Sequence, residues 1–450
     1  MALNLIMILV ALFAHPILNY QVGTATETKL FTMQKGKVVL GSIALSPDLQ
    51  HYSYSTPEHK IIIDGKAFGP YLSNGQMVYS GDSQAYAFLA SVKAGEPSKL
   101  ILNGLEKETE FPVLNIFRAG ETGGICWVER DKEKEMNRVV MPYETTDWYQ
   151  KIEKLAFSDD GTSFYMRTSE RIPVEKDKPI DLAAPTSRDF IVYKGGKKIP
   201  RETTLQVFPA PQDQGYAIVT SRDTVIYKKS TSHLHGQLYK KPFFSPDGKQ
   251  FAFRMEFTIP SPQGNKPSYQ YNINGTPIEG LQIQTGLTFS DDSKKWVMCG
   301  TNDKTACIYL STLGLLPYSE FPGLGGAPSE PYKAAAFPNG RLVMLFQAKR
   351  AKPLLYVEDK GIIELGDFVV DPDTISFSPD GKRMCIAGSA GKELHAYTVD
   401  LNQPSSAIDV MKGLYDLQNL GGGTFVWSKE NQVQFAALKK SDLIRVAVQF

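Results

Sequence analysis

His233 and His235 form the chain's one His-x-His pair. On a β-strand, side chains two apart point to the same face, so two imidazoles at this spacing suit a metal ion or a general base. A bound metal takes three or four protein ligands, however, and no third ligand is visible in the sequence, while Gly236 marks a loop. The pair is a weak metal candidate, set against ordinary hairpin histidines; no cofactor and no catalytic residue is expected elsewhere. His51, His59 and His395 are isolated polar positions. Asp371 and Asp373 flank a proline, but calcium loops need oxygen ligands at denser alternating spacing and a distal Glu. Turn chemistry accounts for these aspartates.

The four cysteines are Cys126, Cys299, Cys307 and Cys385, with no Cys-x-x-Cys and no nearby histidine to make a zinc site. Cys299 and Cys307 flank a hairpin tip at residues 302–304, which makes them a disulfide candidate across two strands. The competing reading is that all four are small buried hydrophobes.

One pattern returns along the chain: an apolar strand ending in an aromatic, a Ser-x-Asp-Gly turn, then a second alternating strand. Its clear copies carry Ser158, Asp160 and Gly161, then Ser245, Asp247 and Gly248, then Ser378, Asp380 and Gly381. Looser copies begin at Leu45, Tyr79, Phe289, Phe337 and Trp427, and degenerate ones at Phe117 and Phe208. Serine at the first position can accept from the backbone two residues on, proline at the second fixes φ, and glycine takes the left-handed position. The resulting tight reversal makes a hairpin.

These ten anchors are spaced by about 42 residues, the length of a four-stranded propeller blade. The expected fold is therefore all-β: a single ring of eight to ten four-stranded blades. A strand from residues 30–40 would join the last blade and close the ring, which hides sheet edges. Two smaller rings with a boundary in residues 169–190 are the alternative. A parallel β-helix has too short a period.

Loops held on such a scaffold are where binding concentrates. Three insertions stand out, residues 141–149, 257–264 and 315–332, and they carry Tyr143, Trp148, Tyr149, Tyr318 and Tyr332. Their aromatic and proline content fits a contact surface for a protein, peptide or glycan. The plainer reading is that the aromatics cover blade edges. Residues 129–135 and 194–198 read as charged hairpin tips at the surface.

With 49 Lys and Arg against 48 Asp and Glu, no field of one sign draws nucleic acid, which is excluded as an expected partner. The chain opens on an apolar run through Ala14 with a small-x-small site ending at Ala25. Residues 1–25 thus read as a signal peptide, with an uncleaved N-terminal anchor as the competing reading because no Lys or Arg precedes the apolar run, and 26–450 as the propeller, exported to the periplasm or secreted, with no membrane span afterwards.

The Phe-Ser-Pro-Asp-Gly-Lys motif at Phe244 and Phe377 resembles the repeat of TolB-type, WD-like propellers and of the propeller domains of prolyl oligopeptidase relatives. Residues 63–70 are similar to a variant in which each blade carries a Val-Asp-Gly-Lys segment. The resemblance implies a propeller and leaves function open, since such rings serve as binding platforms or gates over hydrolases. The peptidase relatives carry a Gly-x-Ser-x-Gly nucleophile elbow in a separate domain; the nearest string here, Gly388 to Gly391, has the wrong spacing. The leading expectation is an exported, non-enzymatic binding or scaffold protein. The alternative is a propeller-type polysaccharide lyase or hydrolase working in the central channel.

Overall fold

Period-two alternation carries the architecture, because a strand standing between two neighbours sends successive side chains to each in turn. Along Arg383–Ala390, Met384 and Ile386 pack against Val343 and Leu345 of the preceding sheet. Cys385 and Ala387 pack against Val433 and Phe435 of the following one. Trp296–Asn302 repeats this, with Met298 on one side and Val297 and Cys299 on the other. The core is thus a series of apolar layers between sheets, and each fully buried Phe or Leu contributes about 1.5–3 kcal/mol.

The computed structural model describes residues 24–171, 187–220, 224–259, 264–324, 332–347, 352–402, 408–409, 425–428 and 432–449, except 35, 40, 197, 201–203, 229, 234–236, 239–241, 280, 282, 303–304 and 391–392. These form ten antiparallel sheets in one ring, a single β-propeller. We number the blades 1 (residues 44–68), 2 (73–107), 3 (113–140), 4 (151–200), 5 (204–233), 6 (237–277), 7 (283–317), 8 (334–364), 9 (369–409) and 10 (426–449). Each of the ten sequence anchors falls in its own blade, the degenerate Phe117 in blade 3 and Phe208 in blade 5. Blade 3 has three strands among the described residues.

Blade 10 takes its fourth strand from the start of the chain. Thr24–Thr32 pairs antiparallel with Asp442–Gln449, so closure uses residues upstream of the expected 30–40. Thr32 donates to Asp442 at 2.5 Å, and Lys439 meets Glu27 at 2.8 Å. Phe31 stacks on Tyr52 and Tyr54 of blade 1, sealing the join.

The repeated turn works differently from the expectation. In six blades the serine hydroxyl donates to the aspartate two residues on, at 2.6–2.7 Å, as Ser158 does to Asp160, Ser245 to Asp247 and Ser378 to Asp380. The same oxygen accepts from the N–H five residues on, not two: Ser163, Gln250 and Arg383 donate at 2.9–3.0 Å. The aspartate itself takes the N–H two residues beyond it. Gly161, Gly248 and Gly381 hold φ of +63° to +70°.

Consecutive turns also touch, which puts them on one face of the ring. Asp48 N–H donates to Ser83, Gly81 N–H to the Gly123 carbonyl, Glu121 N–H to the Asp159 carbonyl, and Asp247 N–H to Ser293. Blades 1 to 4 and 6 to 7 are linked in this way.

The disulfide candidate does not form. Cys299 lies opposite Ile308 and Cys307 opposite Gly300, so the two thiols sit on opposite faces of blade 7 and enter different core layers. All four cysteines are buried without disulfides. Among the described residues no helix is long and apolar enough to cross a membrane.

Candidate functional site

Several irregular features lie in blades 3 to 6. Blade 3 leaves Met136–Val140 as an outer edge, and residues 141–149 cover it: Asn137 and Tyr149 exchange backbone hydrogen bonds, and Val140 bridges to Thr145. An uncovered edge would be a template for unwanted pairing. Tyr149 is fully buried against Cys126, Phe164 and Met166. Trp148 stands half-buried and edge-on to Phe111, with ring centroids 4.7 Å apart. The Arg138 guanidinium lies 4.6 Å from the Trp148 centroid and pairs with Glu129 at 2.7 Å and Glu110 at 2.8 Å. The protein's own arginine therefore occupies one face of the Trp148 ring.

Tyr318 and Tyr332 are core residues as well, 7% and 3% exposed, edge-on to Phe346 between blades 7 and 8. Burial pushes both phenols well above their ordinary range. Tyr149, Tyr318 and Tyr332 thus cannot reach a ligand, because long insertions between blades must bring their own apolar plugs. Of the five aromatics, Tyr143 is exposed and Trp148 in part.

Tyr143 belongs to a polar junction of three blades. The Lys194 ammonium lies 5.4 Å from its ring and 3.1 Å from Asp213. Lys194 N–H donates to the Tyr216 hydroxyl at 3.3 Å, and Gly195 N–H to Glu144 at 3.1 Å. Burial raises both phenols, Tyr216 to about 12, so both remain protonated donors at neutral pH. The arrangement fastens blades 3, 4 and 5.

The same sector of the ring carries two concave surfaces. A cleft of about 680 Å3 opens between the first strands of blades 3 and 4, Val113–Arg118 and Lys151–Phe157. Leu114, Phe117, Leu155 and Phe157 give it apolar walls, and Arg118, Lys151 and Lys154 outnumber Glu153. Its volume is in the range of small-ligand sites. A groove of about 480 Å3 runs across the turns of blades 3 to 6 and is lined by Glu121, Asp159, Asp160, four prolines and Phe243. Although burial opposes ionisation of Asp160, hydrogen bonds from Ser158, Gln212 N–H and Thr162 hold its carboxyl below the usual range.

The groove went unread in the sequence. Its signal was four prolines, Pro209 and Pro211 at the degenerate blade 5 turn and Pro242 and Pro246 at the blade 6 turn. His233 ends the strand Ser230–His233 of blade 5, and His235 lies outside the described residues. Among the described residues no three His, Cys, Asp or Glu gather as metal ligands.

No family model and no curated protein matches the chain. The solved structures it is similar to include propellers of the types the turn motif suggested. TolB from Acinetobacter baumannii is 12% identical with a TM-score of 0.26, over 58% of this chain and 76% of that one. The β-propeller domain of the Trilobed protease from Pyrococcus furiosus, described as having an open velcro topology, is 10% identical with a TM-score of 0.29, over 74% and 99%. An oligogalacturonate lyase in complex with manganese is 9% identical with a TM-score of 0.34, over 95% and 98%. Likeness at this level carries no function across.

Proposed function

We propose that the protein is exported and acts without catalysis, as a binding or scaffold protein whose contact sector is blades 3 to 6. One observation carries the reading: the cleft has one wall on blade 3, and the groove has walls on blades 3 and 5, the two blades whose turn repeat is degenerate. Rings deviate from their own repeat where something other than closure constrains them. Loops gathered on the face of a rigid ring are suited to a protein, peptide or glycan partner. Export rests on the apolar run and small-x-small site of residues 1–25, of which 1–23 lie outside the described residues.

The test is capture from envelope and culture fractions alongside glycan and peptide arrays, comparing the full chain with Lys151→Glu/Lys154→Glu in the cleft and Phe243→Ser in the groove. Binding that falls with one of these variants supports the sector. Binding indifferent to both removes it, and turnover of a polysaccharide by the purified protein replaces the reading with the lyase or hydrolase alternative. Amino-terminal sequencing of protein recovered outside the cell checks export.

A further inference from the structure

Neighbouring sheets in this ring are held together by apolar layers, and the layer between blades 3 and 4 is incomplete. Its buried part, from Cys126 and Val139 to Phe164 and Met166, is closed. Five further members, Phe117, Val128, Ile152, Leu155 and Phe157, are only partly buried, and all five line the cleft of about 680 Å3 between the two first strands. Phe117 and Phe157 meet across the seam with ring centroids 5.8 Å apart. The space runs past Val128 in the second strand of blade 3 to Asn137 in the third, where the Asn137 amide donates to the Gln150 carbonyl at 3.0 Å. Apolar surface left open in this way favours a hydrocarbon body that finishes the layer.

One polar group at the cleft is held ready for a ligand. Arg118 lines it, and its Nε donates to the Gly120 carbonyl at 3.2 Å. That bond fixes the guanidinium, while its two terminal nitrogens make no hydrogen bond or ion pair among the described residues. A guanidinium so placed matches a carboxylate through two parallel N–H bonds, and its single charge balances one carboxylate rather than the near-double charge of a phosphate monoester. The lysines are engaged otherwise: the Lys151 ammonium pairs with Glu153 at 3.2 Å, and that of Lys154 lies 5.9 Å from the Tyr165 ring. Charge therefore selects the head of the ligand at Arg118, and the apolar walls select its body.

We propose that the cleft binds a small amphiphilic acid, a medium-chain fatty acid, with its carboxylate on Arg118 and its hydrocarbon chain against Phe117, Leu155 and Phe157. This site lies within the contact sector but goes beyond it, being a place for a small molecule rather than for a protein, peptide or glycan.

The experiment is calorimetric titration of the full-length protein with octanoate below its micelle concentration, alongside shorter fatty acids, octanol and octyltrimethylammonium. Octanoate binds, and affinity falls about fourfold for each methylene removed, so that acetate does not register. Octanol and the ammonium bind about tenfold more weakly than octanoate, because neither carries the carboxylate that Arg118 receives. Arg118→Gln weakens octanoate about tenfold and leaves octanol unchanged. Val128→Phe fills the space and removes binding of both, and octanoate raises the unfolding midpoint of the wild type but not of this variant.

No binding of octanoate overturns the proposal. Octanol binding as tightly as octanoate, or octanoate binding indifferent to Arg118→Gln, overturns it in favour of a plain apolar contact surface. Tighter binding of the ammonium overturns it in favour of a cation site. The titration uses no macromolecular partner, so failure of capture from cell fractions leaves this site standing, and failure here leaves the contact sector standing.

Discussion

The turns of blades 5 and 6 are neighbours that solve the same problem in opposite ways. In blade 6 the reversal holds itself: Ser245 donates to Asp247, Gln250 N–H returns to Ser245, and Gly248 takes the left-handed residue without a side chain. In blade 5 the turn has no serine, and two residues with side chains, Gln212 and Asp213, sit at φ of +52° and +53°. That strain is offset from outside. Gln212 N–H donates to Asp160 at 2.6 Å, Asp213 N–H to Thr162 at 3.2 Å, and the Asp213 carboxylate receives Ser163 and Lys194. Blade 5 is therefore shaped by blade 4: with the repeat motif lost, its turn takes from a neighbour the bonds that a regular turn makes within itself. The same place carries the groove.

The largest effect expected from this contrast is at a glycine that is crowded as well as left-handed. A Cβ on Gly161 would meet the Ala119 carbonyl oxygen of blade 3 at 2.3 Å, whereas one on Gly340 of blade 8 meets nothing within 4 Å. Gly161→Val is expected to cost more than about 3 kcal/mol and Gly340→Ala about 1 kcal/mol, read as shifts in thermal unfolding midpoint. Equal shifts would show that the ring does not pack its turns as described.

Next in size is the carboxylate that serves two turns. Asp160→Ala removes the acceptor of its own turn and the cap on Gln212, so it is expected to cost about 2–4 kcal/mol. Asp247→Ala breaks one turn and should cost about 1–2 kcal/mol in denaturant titration. If the two cost the same, blade 5 does not lean on blade 4.

Acid provides a smaller, graded version of the same test. Burial opposes ionisation of Asp247, but hydrogen bonds from Ser245 and Lys249 outweigh it and lower the carboxyl to about 2. A folded pKa below the unfolded one contributes stability that is complete above about pH 4 and disappears as pH falls towards 2. Following unfolding midpoint against pH, the wild type should lose on the order of 1 kcal/mol more than Asp247→Asn across that window. A wild-type curve parallel to the variant's would remove the carboxylate from the turn's stability.

Much of this was legible from residues alone, for a physical reason. Turn chemistry and strand alternation are local, so Ser245, Asp247, Gly248 and Phe251 announce their blade without knowledge of any other. Even the weak anchors Phe117 and Phe208 proved to be blades, because the period survives when the turn residues do not. What stayed hidden depends on register or on neighbours. Facing thiols at Cys299 and Cys307 required knowing that the pairing is offset by one residue. For Tyr318 and Tyr332 display and packing stayed open as readings, because loop aromatics that plug a seam and those that meet a partner have the same composition. The groove is a product of four blades meeting, and no single segment encodes it.

The smallest expected effect tests whether strain in the regular turns serves contact between blades. Ser83 and Ser293 occupy the left-handed position that glycine takes in blades 4, 6 and 9, at φ of +61° and +60°. A left-handed serine costs roughly 1 kcal/mol relative to glycine. Yet each hydroxyl accepts from the preceding blade's turn, Ser83 from Asp48 N–H and Ser293 from Asp247 N–H, both at 3.0 Å. A hydrogen bond of this kind contributes about 0.5–1.5 kcal/mol net, so the two terms nearly cancel. Ser83→Gly is therefore expected to change global stability by less than about 0.5 kcal/mol. Ser83→Ala keeps the strain and loses the acceptor, and should cost about 1 kcal/mol. Amide exchange at Asp48 separates the two contributions: it should quicken in both variants, since both leave that N–H without its partner. Stabilisation in Ser83→Gly with unchanged exchange at Asp48 would mean that the serine is mere strain and that blade 2 does not hold blade 1 through its turn.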